Sequence, residues 1–346
     1  MMANTCARIR RFVTGVAISA AALTASQGAL AEKLTVYTTT VPEMLGKYRD
    51  SFQEQYPEIE IEWLRDSTGV ITARLLAERE NTSADVIFAM AVPTLIALKK
   101  DGLLTAYEPK GADAIPTRFK DSDTPPSWIG EAAYIAVFCV NTVEAEKRGI
   151  PIPQTWDDLL KPAYKGQIVM PNPASSGTGF ITVSGWLQQW GEEKAWKYMD
   201  ALHENVALYD HSGARPCTLA AQGEYTIGVS IDSRAGIEKE QGAPIEIVVP
   251  EFVGWELNGT AITARTDNLD AAKKFMDWSA TPAAHKLHYE VRGIVALKDA
   301  GQPPEGFPAE APDRLANNDF NWQAENRDRL LAESIRRYDQ KSAPKN

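Results

Sequence analysis

Residues 165–190 read KGQIVMPNPASSGTGFITVSGWLQQW. Gln167 to Met170 is short and apolar and reads as a strand. Pro171-Asn172-Pro173-Ala174-Ser175-Ser176-Gly177-Thr178-Gly179 cannot prolong it, because prolines lack the ladder donor and glycines punctuate regular structure. From about Gly179 to Trp190 the pattern becomes helical. Strand, small-residue turn and helix form the repeating unit of an α/β fold. The same alternation continues outward. Before it come strands at Leu34 to Tyr37, Ile59 to Trp63, Asp85 to Ala89 and Tyr134 to Val140, with helices at Pro42 to Gln55, Val70 to Glu80 and Pro93 to Lys100. After it come a helix at Glu192 to Leu202 and strands at Ala207 to Tyr209, Ile227 to Ser230 and Ile245 to Val249. A helix near Cys217 to Ala221 lies between the first two of these, and the chain is largely helical from Asp270. The order predicts α/β architecture with a mostly parallel sheet of βαβ units.

The chain has 346 residues, 44% hydrophobic and 24% charged. That is enough for about two domains of ~150 residues. A net charge of -10 argues against a nucleic-acid surface. Three cysteines exclude a disulfide-dense scaffold, and four histidines show no metal-ligand spacing. His285 and His288, at i,i+3, read as a half-exposed helix face. There is no G-x-x-x-x-G-K-[ST], H-E-x-x-H, G-x-S-x-G, EF-hand loop or helix-opening G-x-G-x-x-G. The sequence therefore offers no catalytic residues, no metal site and no cofactor motif.

Arg8, Arg10 and Arg11 precede an uncharged run from Phe12 to Ala25, and Ala29-Leu30-Ala31 closes it with small residues. This is the three-part pattern of a secretory signal peptide, and the run is shorter than the ~20 residues of a membrane span. Residues 1–31 are thus expected to direct export to a bacterial periplasm. Cys6 would leave with them. Cys139 and Cys217 would remain, either as one disulfide or as two separate buried thiols.

In open α/β sheets ligands gather where strands lead into helices. Those turns carry Thr39, then Ser67 and Thr68, then Ser175, Ser176, Gly177 and Thr178, then Ser212 and Arg215. Hydroxyls and unpaired helix amides in such turns suit an anion, although any single turn reads equally as a helix cap. Glu131, Asp232 and Glu256 lie near strand ends and could meet a cationic group, with Trp255 packing beside it.

Several stretches together resemble a known family. They are Leu34-Thr-Val-Tyr-Thr; Trp63-Leu-Arg-Asp-Ser-Thr-Gly with Ile71-Thr-Ala-Arg-Leu-Leu-Ala-Glu; the run from Lys165 to Gly179; Trp196-Lys-Tyr-Met-Asp-Ala-Leu-His; His211-Ser-Gly with Pro216-Cys217; and Asn318-Asp-Phe with Asn326-Arg-Asp-Arg. The chain resembles the periplasmic substrate-binding proteins of ABC importers, in the branch related to ferric-binding proteins, and within it those that bind 2-aminoethylphosphonate. The resemblance implies a two-lobed periplasmic binding protein fold of type II, with the ligand cleft between lobes joined by hinge strands. It divides the chain into residues 32–130 (first lobe), 131–254 (second lobe with crossover strands) and 255–346 (return to the first lobe and C-terminal helices).

It further implies a monomeric, non-catalytic receptor working with the permease subunits of an ABC transporter. The phosphonate would be held by Thr39, Ser67, Thr68, Ser175, Ser176, Gly177, Thr178 and Ser212, with Arg215 as a clamp. The ammonium would meet Glu256, Asp232 or Glu131 beside Trp255. Another phosphonate, a polyamine or a metal complex is the alternative ligand, and a secreted phosphorus-ester hydrolase the alternative class. Ser230-Ile231-Asp232-Ser233-Arg234 lacks the paired tyrosines of ferric-binding relatives, so phenolate coordination of iron is not expected.

Overall fold

The computed structural model describes Met1, residues 32–304 and residues 306–344. Apart from Met1, the export signal read at residues 1–31, with Cys6, lies outside the described residues. The elements run β1 (Glu32–Thr38), α1 (Pro42–Gln53), β2 (Ile59–Arg65), α2 (Thr68–Ala77), β3 (Val86–Ala91), α3 (Val92–Lys100) and β4 (Leu104–Thr105). Then follow β5 (Ile129–Asn141), α4 (Thr142–Arg148), β6 (Ile168–Pro171), α5 (Gly177–Trp190), α6 (Glu192–Asn205), β7 (Val206–Asp210), α7 (Arg215–Ala221), β8 (Ile227–Ile231), α8 (Asp232–Glu240) and β9 (Ile245–Val248). The chain closes with β10 (Trp255–Thr263), α9 (Leu269–Ser279), α10 (Pro282–Tyr289), β11 (Ile294–Val295) and α11 (Phe320–Tyr338).

Two apolar cores form, one for each lobe. In the first, Tyr48 and Phe52 of α1, Phe88 of β3, and Phe275 and Trp278 of α9 meet ring to ring, with centroids 5.0–6.2 Å apart. In the second, Trp156 stands edge-on to Phe138 and to Trp186, each at 4.8 Å. Rings at these separations add attraction to their burial.

The sheet order is β2-β1-β3-β10-β5-β8-β6-β7. Its two ends are parallel: β1 pairs with β2 and β3, and β6 with β7 and β8. Its middle is antiparallel, so the sheet is mixed rather than mostly parallel. The cause is β5, whose thirteen residues are all buried. Its first half pairs with β10 and its second half with β8 and β9, antiparallel throughout. Ile129 thus belongs to the first core and Ile135 to Val140 to the second. β5 carries the chain out and β10 carries it back, which makes them the hinge pair.

The chain does not finish on the first lobe. Leu257 to Ala296 contribute to the first core, but Ala311, Leu330 and Tyr338 pack in the second. Leu330, Ser334 and Tyr338 are the buried stripe of α11 at i, i+4 and i+8. The Tyr338 hydroxyl donates to Asp200 on α6 at 2.9 Å. Cys139 of β5 and Cys217 of α7 are joined in a disulfide and are fully buried.

Candidate functional site

Five strand-to-helix turns converge on one small void. It is lined by Thr39 and Val41 before α1, Arg65, Ser67 and Thr68 at α2, Ser176, Gly177 and Thr178 at α5, Ser212 to Ala214 before α7, and Ile231 before α8. Tyr134 of β5, Asn258 of β10 and Arg292 complete the wall. Ser176 caps its own helix, accepting from the Gly179 amide at 3.4 Å. The starts of α1, α2 and α8 have no side-chain cap. Proline at the first position of α1 has no amide to offer, but the first amides of α2 and α8 have no partner within the helix and carry the positive end of the helix dipole.

The two lobes approach closely here because glycine stands at the contact. A Cβ on Gly177 would lie 2.5 Å from Thr68 Oγ1, and one on Gly69 would lie 2.8 Å from the Ser175 carbonyl oxygen. Any side chain at either position would force the start of α2 away from the start of α5.

The charge of the wall is positive. Arg292, 5% exposed, donates through Nη1 to Asp232 Oδ1 and through Nη2 to Asn258 Oδ1 at 3.2 Å. Its guanidinium lies 5.6 Å from the centre of the Tyr134 ring. Arg65 donates from Nε to the Thr40 carbonyl at 3.0 Å. Among the described residues no Asp or Glu lines the void.

Thr39, Ser67, Thr68, Ser176, Gly177, Thr178 and Ser212 thus share one wall. Ser175 and Arg215 do not. They line a wider outer cavity, which shares Arg65, Ser67 and Ser212 with the inner one. Ser175 Oγ is hydrogen bonded to His211 Nδ1 at 3.0 Å, and Arg215 is paired with Asp210 at 3.2 Å. Trp255 turns away, donating from Nε1 to the Ala316 carbonyl and packing on Phe320.

The three acids are buried behind the wall. Glu131 accepts from Thr260, Asp232 from Arg292, and Glu256 from Tyr134. Burial, the largest cause, pushes Glu131 up to about 8 against Thr260 and Arg292. It pushes Glu256 up to about 7 against Tyr134 and Arg327, and raises Asp232 against Arg292. His285 and His288 are buried as well, rather than half-exposed, because α10 packs over α1 and β5. His288 Nδ1 is hydrogen bonded to the Tyr48 hydroxyl at 2.9 Å, and its Nε2 lies 3.6 Å from Glu131 Oε2.

Arg65, Tyr134, Asn258 and Arg292 are wall residues that the sequence reading missed. Arg65 ends β2, directly before the turn that carries Ser67 and Thr68, and that position is a usable signal in the sequence. Nothing local marks Arg292.

Glu131 sets a pH dependence. Its folded value lies above its ordinary 4.5, so the folded protein holds that proton more tightly than the unfolded chain. The resulting stability is complete below about 4.5 and is lost as pH rises through about 8, on the order of a few kcal/mol. The melting temperature is expected to fall between about pH 6.5 and about pH 9, a window above the histidine transitions. Glu131→Gln should make that fall shallower. An equal slope in the variant would place the buried proton elsewhere.

Two α/β lobes, a crossing strand pair and a polar void where helix starts meet define a two-lobed solute-binding protein. The chain belongs to the bacterial extracellular solute-binding protein family, whose profile matches residues 81–322. It is 33% identical to an uncharacterized protein of Haemophilus influenzae, over 88% of this chain and 90% of that one. It is 25% identical to a probable ABC transporter periplasmic-binding protein of Sinorhizobium fredii, over 91% and 88%. Among solved structures it is similar to the periplasmic binding protein AfuA of Actinobacillus pleuropneumoniae with fructose-6-phosphate bound. That match has a TM-score of 0.81 and 30% identity, and covers 89% of this chain and 99% of that one.

Proposed function

We propose that this protein is the periplasmic receptor of an ABC importer and captures a small organic phosphate or phosphonate without chemical change. The observation that carries the reading is the acid-free wall, with uncapped helix starts and two arginines around one void. A phosphoryl group accepts such amides and hydroxyls, and charge-assisted bonds are the strong ones. The organic part would extend past Ser67 and Ser212 into the outer cavity. The names of the Sinorhizobium and Actinobacillus proteins favour the importer role and a phosphorylated ligand. Permease subunits are then the partners, and the signal at residues 1–31 the export route.

A second reading is 2-aminoethylphosphonate. It is favoured by Glu256 Oε1, a buried carboxyl oxygen without a partner behind Tyr134. An ammonium could draw out that oxygen, which Tyr134 links to the wall.

Calorimetry with fructose-6-phosphate, 2-aminoethylphosphonate, ethylphosphonate, ethanolamine, inorganic phosphate and spermidine separates these. Phosphoryl ligands should bind and the two amines should not. Tighter binding of 2-aminoethylphosphonate than of ethylphosphonate would establish the second reading. Binding of spermidine alone would overturn both. Thr178→Val, which removes a wall hydroxyl and keeps the shape, is expected to weaken phosphoryl binding by about 1–3 kcal/mol. Unaltered affinity would take the start of α5 out of the site.

A further inference from the structure

We propose that Glu256 takes up one proton when the anion binds, and that this turns the Tyr134 hydroxyl from an acceptor into a donor toward the ligand. The inference rests on the anion reading above and names how that site is regulated.

Tyr134 lines the void, and its hydroxyl lies 3.3 Å from the Cβ position of Gly177. A phenol has one proton. In the structure that proton goes to Glu256 Oε2, so toward the void the oxygen presents only lone pairs. An anion beside it would be repelled. Glu256 is 1% exposed, and its other oxygen, Oε1, has no partner. An ionised carboxylate in that position is half-solvated at best, which is costly. The neutral acid fits the same place better: its O–H donates to Tyr134 Oη, and the phenol proton swings to a phosphoryl oxygen. The balance is one proton taken from solvent onto Glu256. Nothing is transferred to the ligand, and no covalent bond changes.

The surroundings allow this. Tyr134 faces Glu256 from β5, and Arg327 acts on it from α11. Arg292 lies over the Tyr134 ring and is paired with Asp232. On α3, Lys99 is paired with Asp121 and Lys100 with Glu325. On α9, Asp277 holds Tyr107 and Lys110, and Lys274 holds Glu58. β3 and α5 contain no charged side chain. Burial already places Glu256 near 7, and an anion in the void raises it further.

The test is calorimetry near pH 8, with fructose-6-phosphate and inorganic phosphate as probes, in two buffers of different ionisation enthalpy. At that pH fructose-6-phosphate, a phosphate monoester with its second pKa near ~6, is almost wholly dianionic, so its own titration contributes little. The wild type is expected to take up about half to one proton per ligand, because its free carboxyl is mostly ionised there. Its affinity should fall as pH rises from 7 to 9. In Glu256→Gln the amide keeps a donor for Tyr134, so uptake should vanish and affinity become flat with pH. In Glu256→Leu, which can neither accept the phenol proton nor take one up, that proton is free for the ligand, so uptake should vanish and affinity should no longer fall with pH. Uptake that persists in Glu256→Gln would put the proton on the ligand or another group and overturn the proposal. Binding without uptake in the wild type overturns it alone and leaves the anion site standing. No binding by any probe overturns both.

Discussion

Arg292→Met is expected to abolish phosphoryl binding and to lower the unfolding free energy by about 3–5 kcal/mol, the range for breaking a buried ion pair from one side. Arg292 is 5% exposed and its partner Asp232 is 1% exposed. Without the guanidinium, Asp232 keeps its burial and loses the charge that compensates for it. The second loss is geometric. Arg292 follows α10, in the segment that returns to the first lobe, while Asp232 opens α8 in the second. The pair therefore fastens one lobe to the other, as Arg234 and Glu43 do at 2.8 Å. Methionine keeps much of the side-chain volume, so packing alone does not explain a large effect. Adding Asp232→Asn to Arg292→Met should restore most of the stability, because a neutral amide costs less to bury than a carboxylate. It should not restore binding, because the cation facing the void is still missing. Urea melts and calorimetry on the two variants separate the effects. Wild-type affinity in Arg292→Met would remove this arginine from the grip on the ligand.

The turns of the site were legible because their chemistry is local. A strand ends, hydroxyls and glycines gather, and a helix begins; Ser176, Gly177 and Thr178 show this in sequence and line the void in the fold. The acids were harder to read because period-2 alternation gives a face and not a depth. Glu256 and Asn258 share a face of β10. Asn258 reaches the wall, whereas Glu256 is covered by Tyr134, its cross-strand neighbour on β5. Which residue of β5 stands opposite Glu256 is a matter of register between strands more than a hundred residues apart. Arg292 was illegible for the same reason. It reaches the site only because β10, α9 and α10 bring the chain back across the first lobe. The sheet's mixed direction also depended on long-range pairing, since thirteen buried residues in a row look alike whether their neighbours are parallel or antiparallel.

Replacing both Cys139 and Cys217 with alanine is expected to lower stability by about 4 kcal/mol, from the chain entropy released in the unfolded state. The bond closes a loop of 78 residues. That loop contains β6, α5, α6 and β7, and so includes the turn that carries Ser176 to Thr178. Both sulfurs are fully buried between β5 and α7, so a reductant should reach them only when the second lobe opens. Dithiothreitol added to the folded protein should act slowly, and the same reductant in urea quickly. The equilibrium midpoint in urea should move down by about 1 M or more for the alanine pair. Close packing holds α7 in place independently of the bond. A Cβ on Gly228 of β8 would collide with the Pro216 backbone, so this glycine lets α7 lie directly on the strand. For that reason the alanine pair should fold to the same structure and bind phosphoryl ligands with an affinity near that of the wild type. The loss should appear in unfolding and not in binding. An unmoved midpoint would mean that the bond adds nothing beyond the packing of α7. A large loss of affinity would mean instead that the disulfide fixes the Ser212 to Ala214 turn at the void.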